Sequence, residues 1–135
     1  MLILQLKSHH IDLLKQETEN VHPVEACALL FGKYSQNMAT VTKIDVASNR
    51  LKSTVKFEID PTKVVVAFTA AEEEGLDFIG LFHSHPAPAS PSSIDLKFMR
   101  LWGATLWLIL SSTDGNLAAY QLENDQLKEA TISIE

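Results

Sequence analysis

Residues 82–95, FHSHPAPASPSSID, constrain the fold of this 135-residue chain more than any other stretch. The apolar segment 76–85, which runs into them, has the composition of a buried strand, and residues 92–102 have the pattern of a short helix. Pro86, Pro88 and Pro91 restrict the backbone between these two elements, which lowers the entropy lost when the loop is held bent. The stretch therefore predicts a strand, a stiff turn and a helix start in direct succession.

The rest of the chain alternates strand-like and helix-like segments. Further strands are predicted at 2–6, 24–32, 38–48, 54–59, 105–112, 116–123 and 126–134. One helix is predicted from Ser8, as its N-cap, to about residue 22, and a second from Asp60 and Pro61 to Gly75. These elements predict an α/β fold in which a mixed, curved β-sheet is flanked by two to three helices.

Composition sets the class of protein. Hydrophobic residues make up 46% and charged residues 21% of the chain, which predicts a single globular domain spanning residues 1–135. The net charge of −6 and the lack of a Lys and Arg cluster argue against a nucleic-acid partner. The apolar runs are too short to span a membrane. The first residues lack the pattern of a secretion signal, so we do not expect secretion. Cys27 is the only cysteine, so we expect no disulfide framework and a reducing, cytoplasmic location.

The histidines of the opening stretch have the spacing of a metal clamp. His83 and His85 lie two apart at the end of a predicted strand, so their side chains point to the same face. A catalytic zinc site takes three protein ligands and keeps a fourth position for water, and Asp95 is the candidate for the third ligand. Ser92 and Asp95 also have the spacing of a helix capping box, so each motif taken alone has a purely structural explanation.

A hydrolytic metal site also needs a group that accepts and returns a proton. Glu25 is the best candidate because it interrupts the apolar segment 24–32, where an unpaired carboxylate is costly to bury. The alternative is a glutamate at the mouth of a strand that faces solvent.

With these residues identified, the chain resembles the JAMM metalloprotease family, the catalytic MPN domains. The family signature is a glutamate followed by His-Ser/Thr-His-Pro and then Ser-x-x-Asp, and the chain carries it as Glu25, residues 83–86 and residues 92–95. The resemblance extends over essentially the whole chain and is nearest to compact archaeal or bacterial relatives of the proteasome-lid deubiquitinase. Six residues rather than the usual seven separate the second histidine from the serine, which leaves Ser92 and Ser93 as alternatives for the serine role.

The resemblance implies a zinc-dependent isopeptidase. His83, His85 and Asp95 would hold one Zn²⁺, Glu25 would act as general acid/base toward a zinc-activated water, and Ser92 would stabilise the oxyanion. The substrate would be the C-terminal Gly-Gly tail of ubiquitin or a ubiquitin-like modifier in its conjugates, with the proteasome as a further partner. Two alternatives stay open: a peptidase that trims the C-terminus of a sulfur-carrier protein, and a non-catalytic MPN scaffold.

Overall fold

The computed structural model describes residues 2–135, which form seven strands and three helices. The elements in chain order are β1 (Ile3–Leu6), α1 (Ser8–Val21), β2 (Cys27–Ser35), β3 (Met38–Ala47), α2 (Pro61–Glu73), β4 (Asp77–His85), α3 (Ser93–Trp102), β5 (Leu106–Ser111), β6 (Leu117–Glu123) and β7 (Gln126–Ile134). The strands form a mixed sheet in the order β1-β3-β2-β4-β5-β6-β7, and it closes into a barrel because β7 pairs with β1. The prediction of an α/β fold with a mixed sheet and two to three helices is confirmed.

Apolar side chains pack on both faces of this sheet. Successive side chains of a strand point to opposite faces, so β2 sends Ala28 and Leu30 to the core that α1 covers. Its residues Leu29 and Phe31 point the other way and join Trp107 of β5 in the core that α2 and α3 cover. Burial on both faces explains why the first six residues of β2 are continuously apolar instead of alternating.

The crossover from β4 through α3 to β5 positions the end of β4. The two strands are parallel, and their pairing runs from Gly80 opposite Leu106 to His85 opposite Ser111. A Cβ atom at Gly80 would lie 2.0 Å from the carbonyl oxygen of Leu106, so any other residue would force the strands apart. A parallel pair needs such a crossover, and it brings the first turn of α3 next to His83 and His85.

The predicted strand at 54–59 is wrong, because residues 48–60 form an irregular loop. Phe57 and Ile59 are buried, so the apolar alternation of this segment reflects packing of a loop on the core. The loop is organised around the buried side chain of Asn49, which bonds to backbone groups instead of leaving them free for a strand partner.

The helix starts agree with the sequence in two of three cases. Asp60 is the N-cap of α2 and accepts a hydrogen bond of 2.8 Å from the backbone N–H of Thr62, and Ser92 is the N-cap of α3. Ser8 was predicted as an N-cap but is the first residue of α1, whose N-cap is Lys7 and has no side-chain cap bond. No helix within residues 2–135 is both long and apolar enough to cross a membrane.

Candidate metal centre

His83 and His85 lie at the carboxyl end of β4, and their ring centroids are 5.8 Å apart. His83 is fully buried, while the side chain of His85 is 12% exposed. The ring of Phe57 stacks on His83 at 4.9 Å, and Trp107 meets the same imidazole edge-on at 5.8 Å. Two apolar rings therefore fix the orientation of His83 and shield it from water.

The backbone carbonyl of Pro88 determines the tautomer of His85. Nδ1 of His85 lies 3.2 Å from this oxygen, which can only accept a hydrogen bond. Nδ1 of a neutral His85 must therefore carry the proton, and Nε2 keeps a lone pair. The proline-rich loop thus prepares His85 Nε2 to act as a metal ligand.

Asp95 enters from the first turn of α3 through the capping box. Its Oδ2 accepts a 2.9 Å hydrogen bond from the Ser92 N–H, and its own N–H donates to Ser92 Oγ at 3.1 Å. The same Oδ2 lies 3.2 Å from Nε2 of His83. Burial acts to raise the pKa of Asp95. The hydrogen bond to His83, the charge of His83 and the hydrogen bond from the Ser92 N–H together outweigh burial and lower that pKa.

Glu25 reaches the same point from the segment just before β2. Its side chain is fully buried, both carboxylate oxygens lack a hydrogen-bond partner, and Oε2 lies 4.0 Å from Nε2 of His85. Burial, followed by the charge of Asp95, raises the pKa of Glu25 to about 8. A buried carboxylate with no partner is costly, and a cation bound beside it would offset that cost.

The structure brings together four of the five residues predicted to form the site. Ligand atoms of Glu25, His83 and Asp95 lie within 4.8 Å of one another, and His85 lies beside Glu25. Imidazole nitrogens and carboxylate oxygens suit Zn²⁺ as ligands, and two buried carboxylates so close together favour a divalent cation between them. The donor set therefore fits the predicted metal. The three ligand atoms grouped within 4.8 Å belong to Glu25, His83 and Asp95, whereas the sequence indicated His85 as the third ligand in place of Glu25.

The fifth residue, Ser92, lies at the edge of the centre, where it caps α3. Its Oγ accepts a hydrogen bond from Asp95, so its own hydroxyl proton is left to donate elsewhere. Ser93 is the first residue of α3 and is exposed. The one-residue shortening of the loop thus leaves Ser92, and not Ser93, in contact with a predicted ligand.

Three residues of the site environment had no role predicted from the sequence. Phe57 was assigned to a strand that does not form, and Asn49 gave no signal at all. Ser84, between the two histidines, accepts a 2.8 Å hydrogen bond from the N–H of Ala26 and so ties β4 to the segment that carries Glu25. Ser84 stands within the histidine motif and Phe57 within the alternating apolar pattern of 54–59, but neither pattern indicates these contacts.

An apolar groove of about 400 Å³ lies next to the centre. Phe57 and Trp107, the two rings that contact His83, also line this groove. Val65 of α2 and Trp102 of α3 line it as well, and both are partly accessible to solvent. An extended apolar segment of another protein could therefore lie in the groove next to the metal ligands.

The chain is similar to known proteins of one family. A family model described as prokaryotic homologs of the JAB domain matches residues 7–123. The chain is 39% identical over 113 residues to a Desampylase of Pyrococcus furiosus, covering 83% of this chain and 77% of that protein. It is 32% identical over 115 residues to a Desampylase of Haloferax volcanii, covering 84% of this chain and 80% of that protein.

Two solved structures have the same fold. A protein of Desulfitobacterium hafniense, solved in solution, superimposes with a TM-score of 0.89 at 25% identity, covering 98% of this chain and 92% of its own. A protein of Salinibacter ruber gives a TM-score of 0.73 at 28% identity, covering 97% and 91%. The family match and the two curated relatives confirm the resemblance seen in the sequence, and the chain therefore belongs to the prokaryotic homologs of the JAB domain, within the JAMM family.

Proposed function

We propose that this protein is a zinc-dependent isopeptidase that cleaves the bond after the C-terminal Gly-Gly of a ubiquitin-like modifier. The observation that carries the proposal is the convergence of Glu25, His83 and Asp95 within 4.8 Å, with His85 Nε2 4.0 Å from Glu25. Membership of the JAMM family and the name Desampylase of both curated relatives support a hydrolase that removes a modifier from its conjugates.

In this proposal the metal is held by His83, His85 and Asp95, and Glu25 is the general acid/base. Zn²⁺, when bound, would supply a Lewis acid that polarises the scissile carbonyl and lowers the pKa of water. Glu25 accepts the proton of the attacking water and returns it to the leaving amine. Its isolation from hydrogen-bond donors supports this role, because a carboxylate without fixed partners is free to exchange a proton.

Ser92 would stabilise the oxyanion of the tetrahedral intermediate. Its Oγ accepts from the Asp95 N–H, which leaves the hydroxyl proton free to donate to the oxygen of the tetrahedral intermediate. The capping box holds this hydroxyl in a fixed position at the start of α3.

The apolar groove supports a tail-shaped substrate. An extended C-terminal tail that lies along Phe57 and Trp107 would pass next to the two rings that cover His83, and so close to the predicted metal ligands. Pairing of β1 with β3 ends at Thr40, so the second half of β3 has a strand neighbour on one side only and could accept a tail as an added strand. A reducing, cytoplasmic compartment suits the buried, unpaired thiol of Cys27, and we propose that location.

The test is cleavage of a fusion in which a ubiquitin-like modifier ending in Gly-Gly is joined to a second protein. We expect two products, separated after the second glycine by mass, and no cleavage when a chelator is present. The Glu25→Gln variant should retain stoichiometric zinc while cleavage falls by about 10²- to 10⁴-fold. Loss of zinc from Glu25→Gln would instead make Glu25 a ligand, and full activity in that variant would exclude it as the base.

A further inference from the structure

Asn49 makes an unusually complete set of hydrogen bonds for a single side chain. Its amide group is buried within the irregular loop 48–60. Nδ2 donates to three backbone carbonyl oxygens, those of Glu25 at 3.1 Å, Lys56 at 3.0 Å and Ser53 at 3.4 Å. Oδ1 accepts from two backbone N–H groups, those of Leu51 at 3.1 Å and Glu58 at 3.2 Å. Both ends of the amide are therefore fully used.

The backbone of Glu25 depends on this loop for its position. Glu25 precedes β2, so it is not held by a strand ladder. Its carbonyl oxygen accepts from Asn49, and its N–H donates to the carbonyl oxygen of Ser53 at 2.9 Å. Because neither carboxylate oxygen of Glu25 has a hydrogen-bond partner, the location of the carboxylate depends on its backbone and on packing, and not on hydrogen bonds of its own.

The same amide also positions the ring that covers His83. Asn49 bonds to the backbone on both sides of Phe57, through the carbonyl of Lys56 and the N–H of Glu58. Phe57 then stacks on His83 with centroids 4.9 Å apart and planes at 23°. Asn49, which lies outside the metal centre, is thereby linked to the proposed general base Glu25 and, through Phe57, to the predicted metal ligand His83.

We propose that Asn49 is a positioning residue of the active site, which fixes the Glu25 backbone and the Phe57 ring relative to His83. This inference rests on the proposed function, because the cost of moving Glu25 appears in the cleavage rate. The Asn49 amide bonds to backbone groups and not to the side chains of the predicted ligands, so in this proposal it acts through Glu25 and Phe57. A residue that only stabilised the loop would change the fraction of folded protein and leave the rate of the folded enzyme unchanged.

The first experiment separates these two roles by kinetics. Asn49→Ala should lower kcat by about 10- to 100-fold with KM changed less than about twofold, as for residues that orient catalytic groups. Thr105→Val is the matched control, because its buried hydroxyl also ties a loop, donating to the carbonyl of Trp102 at 3.0 Å, but does not touch the centre. Both proteins are assayed below their unfolding transitions, and Thr105→Val should keep the wild-type kcat.

A double-mutant cycle then tests whether Asn49 acts through Glu25. Adding Asn49→Ala to Glu25→Gln should cause less than about a threefold further loss in kcat, because the group being positioned is already disabled. The proposal would be overturned if the kcat losses of the two single variants multiplied in the double variant. It would also be overturned if Asn49→Ala left kcat unchanged. If Asn49→Ala does not fold, Asn49→Ser removes the amide with a smaller loss of volume and should lower kcat in the same way.

A second measurement does not depend on cleavage. In the metal-free protein, NMR should detect the contact between the Phe57 and His83 rings in wild type and in Thr105→Val, and this contact should disappear in Asn49→Ala. If wild type cleaves no fusion, the proposed function fails, yet loss of the ring contact in Asn49→Ala would still establish the positioning. A contact that survives in Asn49→Ala would refute it whatever the activity.

Discussion

Two loops meet at the candidate metal centre, and they are built in opposite ways. Residues 86–92 are stiffened by three prolines and end in a capping box whose partners, Ser92 and Asp95, are three positions apart. Residues 48–60 contain no proline and are held by Asn49, which bonds to Glu25, 24 positions away. The first loop is stiffened by its prolines and a capping box, whereas the second is held by one buried side chain that bonds to the backbone of the loop and of Glu25.

The largest effect on metal binding and cleavage is expected from Asp95, the partner of Ser92 in the capping box that ends the first loop. Asp95→Asn removes an ionised ligand while its carbonyl oxygen can still accept from the Ser92 N–H. We expect loss of bound zinc and a fall in cleavage of about 10³-fold or more, since several kcal/mol of charge stabilisation depend on the metal. Metal content by mass spectrometry and the cleavage rate measure this. Asp60→Asn, at the N-cap of α2, is the control and should keep both; zinc retained in Asp95→Asn would contradict the assignment.

The next effect concerns Glu25, whose backbone bonds to the second loop. In the chelated protein, burial and then the charge of Asp95 raise the pKa of folded Glu25 from 4.5 to about 8, above its value in the unfolded chain. The stabilisation from protonated Glu25 is complete below pH 4.5 and is lost as pH rises through 8. The unfolding free energy should therefore fall between pH 5 and 8.5 by on the order of 4 kcal/mol. Urea titrations of Glu25→Gln should lack this slope; equal slopes would show that Glu25 is not the cause.

A smaller loss of stability is expected when the ring of Phe57, in the second loop, is removed. Phe57→Ala removes a buried side chain that packs on His83 and Trp107, and we expect the free energy of unfolding to fall by about 3 kcal/mol. Val55→Ala, at an exposed position of the same loop, should change it by less than about 0.5 kcal/mol. Urea denaturation of both variants gives the comparison. Equal stabilities would mean that the loop is not packed on the centre.

The smallest effect distinguishes adjacent serines in the first loop. Ser92→Ala removes the N-cap of α3 and should cost about 1 kcal/mol of unfolding free energy. Ser93→Ala, one residue into the helix and exposed, should cost nothing measurable. Thermal melts of the two proteins report the difference. A larger loss for Ser93→Ala would place the helix start one residue later than the structure has it.

The same contrast between the two loops explains what could be predicted from the sequence. The order of helices and strands, the mixed sheet and the cluster of His83, Asp95 and Glu25 followed from local patterns and from a family motif. The loop at 48–60 did not, because period-two apolar spacing at Phe57 and Ile59 is shared by strands and by loops that alternate between core and solvent. Only the contacts of Asn49 decide between them, and an asparagine before a polar segment carries no sign of its partners.

Closure of the barrel also lay beyond the sequence. Each strand could be recognised from its apolar residues, but the pairing of β7 with β1 joins residues more than a hundred positions apart. Nothing in either strand specifies a partner at that separation.

The sequence also leaves Ser92 and Ser93 as alternatives, because the loop before them is one residue shorter than usual. The capping geometry favours Ser92, because its hydrogen-bond partner is Asp95.

A single oxygen, Oδ2 of Asp95, both closes the cap of α3 and faces His83. For protein engineering, residues 83–95 could be transplanted into a parallel strand–helix crossover of an unrelated scaffold, which would then receive two imidazoles and a carboxylate at the required spacing. The proton carrier would not travel with them, and the recipient would have to supply it from its own neighbouring strand. The recipient would also have to supply aromatic rings in the places that Phe57 and Trp107 occupy against His83.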